Sequence, residues 1–237
     1  MMAAMSSDQG PFASLHLAHS STVDRVADEL RRAVFEGELE SGTPLREVAL
    51  ADSLGVSRST LREALGMLVA EGVAVREPNR GVSVASPDPE AITDVCRARA
   101  VLEVAGVRHW PVAAEETREA VRIALAEYAA EVAAGASYQR LNERHLALHV
   151  SLVGLTESPR LVAMAETLVA ELKVALAQID RIRRNAHAQA GSHTRLLDLL
   201  EAGDVEAAAA DLEHHLADAE KAIREALGGV AAAQLSP

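Results

Sequence analysis

Residues 50–65, LADSLGVSRSTLREAL, leave this part of the chain little freedom in how it folds. Leu50 and Leu54 are one helical turn apart, and Gly55 follows, able to leave the helix through the left-handed region. Ser57 offers an N-cap oxygen to a second helix, with Thr60 three places on. Leu61, Leu65 and Leu68 then recur at i, i+4 and i+7 and should bury one face. Arg58, Ser59 and Arg62 fall on the other face, crowded at the helix start. Two short helices joined by a tight glycine turn, with donors leading the second, have the plan of a helix-turn-helix. A solvated amphipathic helix pair would carry the same leucines, so the flanking segments must decide.

Upstream, Val23, Val26, Ala27, Leu30 and Val34 mark one face of a helix that begins at Thr22 and stops at Gly37. ELESGTPL is a turn-rich connector. Downstream, the hydrophobic period switches from 3.6 to 2. Val73 and Val75, then Val82 and Val84, alternate about a polar tip, PNRG, and predict a β-hairpin. Three helices followed by a hairpin make a winged helix-turn-helix, expected over residues 21–86. Its natural partner is double-stranded DNA.

Charge opposes that reading at first sight. The chain has 237 residues and a formal net charge of −12, and residues 20–86 carry eight Lys/Arg against eleven Asp/Glu. Phosphates, however, feel the local field, because cellular salt screens over roughly 8 Å. Arg58, Arg62, Arg76 and Arg80 lie on or beside the elements that would meet DNA. Glu63 is expected to hold a neighbouring arginine or the helix face rather than read a base.

The two prolines of SPDPE, 86–90, mark the boundary between domains, and beyond it every pattern is helical. Helices are expected over 89–109, 115–134, 137–155, 159–188, 193–202 and 204–227, joined by short loops and so packed antiparallel as a bundle. The fold class is mainly α: an N-terminal winged helix-turn-helix, then an all-α bundle over 87–228. Residues 1–20 and 229–237 read as disordered ends. Hydrophobic residues make up 49% of the chain and aromatics only 2%, so alanine, leucine and valine must pack closely approaching helices. One cysteine, Cys96, allows no intramolecular disulfide and suits a reducing compartment as a small buried hydrophobe. With no signal peptide and no long apolar run, a cytoplasmic protein without a membrane partner is expected.

Seven of the nine histidines lie in the helical half. His145 and His149 are one turn apart and can face one point. His193 stands ten residues before Gly203, and His215 twelve after it. If the chain reverses there, both sit roughly 15–18 Å from the turn, at equal height on adjacent helices. Any one of them alone is an ordinary surface or capping residue. Together they offer two ligands from one helix and one from each of two others, a workable set for a divalent ion. His214 is a register rival of His215. HLALH lacks the glutamate of a metalloprotease motif, and the chain has no phosphate loop, nucleophile elbow or CxxC. No enzyme is therefore expected, although a metal-dependent enzyme or a helical interaction protein that ignores DNA would share many of these features.

GVSRSTLREAL, the upstream LREVALADSLG and the tip PNRG resemble the winged-helix signature of GntR-type transcriptional regulators, and the helical half is similar to that family's FCD-type effector domain. The resemblance spans about residues 22–227. It implies a homodimeric regulator, commonly a repressor, that binds a palindromic operator. It places Ser57, Arg58, Ser59, Thr60 and Arg62 on operator bases and phosphates, and the wing tip Arg80-Gly81 in the minor groove. Many members have an arginine early in the second helix; this chain has Val48. The resemblance also implies a divalent metal held by an aspartate, a histidine one turn later and two further histidines, here His145, His149, His193 and His215. Histidine in the aspartate position either gives an all-imidazole site suited to zinc or nickel or leaves His145 unbound. Arg99 falls on the helix where the family directs an arginine at the carboxylate of a small organic acid. Its bland role is an i,i+4 pair with Glu103.

Overall fold

A computed structural model describes residues 21–86, 88–183 and 186–234; the ends expected to be loose, 1–20 and 235–237, lie outside them. The N-terminal domain runs α1 (Thr22–Phe35), α2 (Glu47–Leu54), α3 (Arg58–Ala70), β1 (Ala74–Glu77) and β2 (Gly81–Val84). A capping box starts α1: Ser21 Oγ accepts the Asp24 N–H at 3.1 Å, and Asp24 accepts the Ser21 N–H at 2.8 Å. Gly55, at φ 65°, ends α2 in the left-handed region. Ser57 caps α3 by accepting the Thr60 N–H at 3.1 Å. Leu61, Leu65 and Leu68 are fully buried and pack with Val26, Leu30 and Phe35 of α1 in the domain core.

The wing forms as expected, but in a different register. β1 and β2 pair antiparallel, with Ala74 opposite Val84 and Arg76 opposite Val82. Val82 and Val84 point into the core, whereas Val75 is 41% exposed and Ala74 takes the inward place expected of it. Val73 is buried just before the strand begins, so the two valines do not belong to one alternating run. The connector adds a third rung: Leu45 N–H donates to Val82 O at 2.8 Å and Val84 N–H to Thr43 O at 3.0 Å.

The helical half contains α4 (Pro89–His109), α5 (Glu115–Ala133), α6 (Tyr138–Gly154), α7 (Pro159–Arg183), α8 (Ala186–Glu201) and α9 (Val205–Gln234). Three boundaries differ from expectation. α7 gives way to α8 several residues earlier than predicted, and Gly191 and Ser192, which read as a break, lie inside α8. α9 continues to Gln234 through a stretch expected to be a loose tail. Antiparallel pairing of neighbours is explicit: Arg144 meets Glu127 at 2.7 Å across α5 and α6, and Arg195 meets Asp211 at 3.3 Å across α8 and α9. α4 and α6 run parallel, with Glu103 beside His149 and Gly106 beside Leu152. Cys96 is a free, buried thiol.

Gly106 sets the spacing of that pair. A Cβ there would lie 2.0 Å from the carbonyl oxygen of Leu152, which is backbone and cannot swing aside. Gly106→Ala should therefore destabilise the protein by about 1–3 kcal/mol through overpacking. A melting temperature unchanged from wild type would show that the two helices are not held this close.

The domains touch where α1 packs on α6 and α7. Glu36, just past α1, accepts the Tyr138 N–H at 3.2 Å and so rests its carboxylate at the N-terminus of α6. Arg31 ties α1 to the end of α3 through two bonds to Glu71, at 2.9 and 2.8 Å.

Candidate functional site

Two groups of residues stand out, one buried in the bundle and one on the surface of the winged helix. In the bundle, α6 supplies His145 and His149, α8 supplies His193 and α9 supplies His215. The reversal at Gly203, φ 78°, brings the His193 and His215 rings to 4.6 Å between centroids. One ring nitrogen from each of the four lies within 4.8 Å of every other, so the group could hold a metal ion. His214 points outward beside Asp218, which settles the register in favour of His215.

The tautomers follow from the hydrogen bonds. His193 Nδ1 is 2.7 Å from Gln189 O, a carbonyl that can only accept, so Nδ1 carries the proton and Nε2 bears the lone pair. His149 Nδ1 lies 2.7 Å from Glu103 Oε2 and donates to it, again leaving Nε2 bare. These two bare nitrogens face each other at 3.2 Å. Neutral imidazoles cannot bond through two lone pairs, whereas a cation between them satisfies both. His145 Nε2 stands 3.1 Å from His149 Nε2, inside the same group. An ion with ligands at about 2.0–2.1 Å holds nitrogen pairs roughly 3–4 Å apart, so the donor set fits a divalent metal.

Burial pushes all four imidazoles below their ordinary value of 6.5, His193 to about 3, so the cluster is neutral at physiological pH and ready to coordinate. Tyr128 of α5 stacks on His145 at 5.1 Å and meets His193 edge-on at 6.1 Å, closing one side.

Beside the histidines, Arg99 Nε donates to Glu103 Oε1 at 2.8 Å. This is the i,i+4 pair read from the sequence, but it is not a surface pair: Arg99 is 3% exposed and Glu103 2%. Burial raises the Glu103 carboxyl, and the Arg99 guanidinium opposes that shift. Glu103 thus links the arginine to His149 and fixes the ring's orientation, the usual work of an outer carboxylate at a metal site. Sequence reasoning missed this role. A usable signal was present, since Arg99 and Glu103 continue the buried stripe Ile92, Val95/Cys96 and Val107 at helical spacing. Arg99 Nη2 is buried with no hydrogen-bond partner among the described residues.

On the winged helix, Ser57, Arg58, Ser59 and Arg62 are exposed at the start of α3, and Thr60 is half-buried among them. Ser57 Oγ is 2.8 Å from both Ser59 Oγ and Thr60 Oγ1, a hydroxyl cluster at a helix N-terminus. Arg58 has no ion-pair partner among the described residues. Arg62 does: Glu47 of α2, at 2.7 Å. Arg80 projects from the wing tip beside Glu77, with Gly81 at φ 90° behind it. Val48 is half exposed on α2.

Comparison with known proteins agrees with this architecture. Residues 22–84 match the family described as "Bacterial regulatory proteins, gntR family", and residues 94–218 match the "FCD domain". The chain is 30% identical over 226 residues, 93% of its own length and 96% of the relative's, to the "Probable D-xylose utilization operon transcriptional repressor" of Paenarthrobacter nicotinovorans. This chain belongs to the GntR family, in the branch with an FCD domain. A second relative, the gluconate operon transcriptional repressor of Bacillus licheniformis, is 40% identical over 87 residues, 37% of this chain and 35% of that protein. Among solved structures, a GntR regulator of Rhodococcus sp. RHA1 superposes with a TM-score of 0.67 at 29% identity, covering 86% of this chain and 98% of that one. The protein is accordingly a winged-helix transcriptional regulator. No described helix is long and apolar enough to cross a membrane.

Proposed function

We propose that this GntR regulator is a homodimeric repressor whose affinity for a palindromic operator is set by a small organic acid bound beside a divalent ion. Ser57, Arg58, Ser59, Thr60 and Arg62 form the major-groove face, and Arg80 and Gly81 follow the adjacent minor groove. His145, His149, His193 and His215 hold the ion, zinc or nickel by the softness of an all-imidazole set. When bound, the ion would supply a positive centre that attracts an anionic ligand. The single observation carrying the effector reading is Arg99: a buried guanidinium with Nη2 unpartnered among the described residues, next to four neutral imidazoles. A carboxylate is the group that meets such a donor. The names of the relatives suggest regulation of a catabolic operon for a sugar or sugar acid.

The path to DNA runs through α6, which carries two of the histidines and abuts Glu36 of the DNA-binding domain at its N-terminus. An acid that binds one arrangement of α6 better than another shifts how the two recognition helices are presented. It does so only by that difference in affinity.

The experiment uses an operator selected from genomic DNA and a panel of small organic acids. One or more acids should release wild type from the operator. Arg99→Ala, and Arg99→Lys which keeps a charge beside Glu103, should need at least tenfold more acid while binding DNA normally without it. Equal response in wild type and both variants would return Arg99 to a purely structural pair.

A further inference from the structure

Asn142 is fully buried, and neither Oδ1 nor Nδ2 has a hydrogen-bond partner among the described residues. An amide left in that state costs free energy that a leucine at the same place would not. Asn142 lies on α6, three residues before His145 and seven before His149, so all three share one buried face. The parallel run of α4 and α6 places Arg99, one turn before Glu103, level with His145, one turn before His149. Arg99 Nη2 and His145 Nδ1 are also buried and unpartnered among the described residues. Arg99 and His145 thus lie level on the facing helices, with Asn142 about one turn below His145 on the same face of α6, and all three are buried polar side chains whose hydrogen bonding is unfinished among the described residues.

The inventory of these atoms defines the chemistry that would complete them. Arg99 Nη2 and Asn142 Nδ2 are donors, and His145 Nδ1 is a donor whenever Nε2 faces the other imidazoles with its lone pair. Asn142 Oδ1 is the one acceptor among them. A carboxylate accepts from the donors but offers nothing to Oδ1. A hydroxyl both donates and accepts, so it can satisfy both ends of the amide.

We infer that Asn142 is the specificity-determining residue of the effector pocket and selects hydroxylated carboxylic acids over their plain alkyl counterparts. This rests on the proposal that the pocket takes an organic acid. A site built to pair a ligand hydroxyl discriminates strongly against the ligand lacking it, because its own polar group is then left buried and alone.

The test uses full-length protein loaded with zinc and two matched probe pairs, 2-hydroxypropanoate against propanoate and gluconate against hexanoate. Affinities are read by calorimetry and melting temperature is read without ligand. Wild type should bind the hydroxylated member of at least one pair tenfold or more tightly than its partner. Asn142→Leu should close that gap to within about twofold and should raise the melting temperature of the ligand-free protein, since it removes the unpaired amide. Asn142→Ala should close the gap as well, without depending on how a leucine packs. If wild type binds both members of each pair equally, or if Asn142→Leu retains the gap, the inference is overturned while the acid reading stands. If wild type binds none of the four acids, both fall. A lower melting temperature in Asn142→Leu and Asn142→Ala alike would make Asn142 a structural residue and would also overturn it.

Discussion

Stripping the divalent ion from the four-histidine centre should lower the melting temperature of the protein by roughly 5–11 °C. An ion present at 100 times its dissociation constant adds about 2.7 kcal/mol to the folded state. For a chain of this size each kcal/mol moves the midpoint by about 2–4 °C. His149→Ala and His193→Ala should abolish the response to added zinc, because their bare Nε2 atoms face each other at 3.2 Å and both are needed to hold the ion. His215→Ala should do the same by removing the ligand from α9. His145→Ala should weaken the response, since His145 Nε2 lies 3.1 Å from that of His149. His145→Asp, which restores the carboxylate of the family pattern, should keep it.

Acid acts in the same direction as chelation. The folded-state values of these imidazoles are depressed by burial, His193 from 6.5 to about 3, so between those values the unfolded chain binds more protons than the folded one. The stability they contribute is fully present above about pH 6.5 and falls as pH drops towards 3. Each histidine kept neutral contributes up to about 1.4 kcal/mol per pH unit. Melting curves of metal-free protein between pH 8 and 4 check this: a midpoint that does not move below about pH 6.5 would contradict the burial of the cluster.

Arg58→Ala should weaken operator binding tenfold or more and relax base preference at one position of each half-site. A forked arginine contact to guanine is worth about 1–3 kcal/mol of discrimination. In the free protein Arg58 is exposed and without an ion-pair partner among the described residues, so nothing competes for it. Arg62→Ala should show a smaller loss, because Arg62 must share its guanidinium with Glu47. Glu47→Ala separates the two roles of that bond. Tighter DNA binding means the pair restrains Arg62, and weaker binding means Glu47 aims it. Neither arginine variant should alter folding, since both side chains are exposed and outside the buried Leu61/Leu65/Leu68 core. Affinities must be compared at one fixed salt concentration. Unchanged affinity in both arginine variants would remove α3 from the DNA interface.

The parts of this molecule that were legible in the sequence are those set by local chemistry or by helical arithmetic. Gly55 and Ser57 each announce a helix end through their own backbone and side chain, and both ends fall where expected. The histidine register was legible because a hairpin at Gly203 puts residues ten before and twelve after it at one height. Where the sequence misled, the deciding contact was distant or the local signals were weak. Val75 fits a strand pattern, but the pairing of β1 with β2 turns Ala74 inward instead. Gly191 and Ser192 look like a break, yet the packed α8 runs through them. Glu103 finds His149 46 residues away, and Glu47 takes the arginine that Glu63 stands next to; neither partner follows from spacing along one helix. Asn142 was overlooked because an asparagine in a stretch rich in charge, with Arg140, Glu143 and Arg144 nearby, reads as a surface position until the helices are assembled.

The most direct measurement is a titration of zinc into chelator-treated full-length protein at about pH 7.5, where the imidazoles are neutral. It should saturate at one ion per chain in wild type, with no saturable binding in His149→Ala or His193→Ala. A wild-type titration without a saturable site, or one that saturates equally well in both variants, would show that the four histidines are buried neighbours and hold no metal.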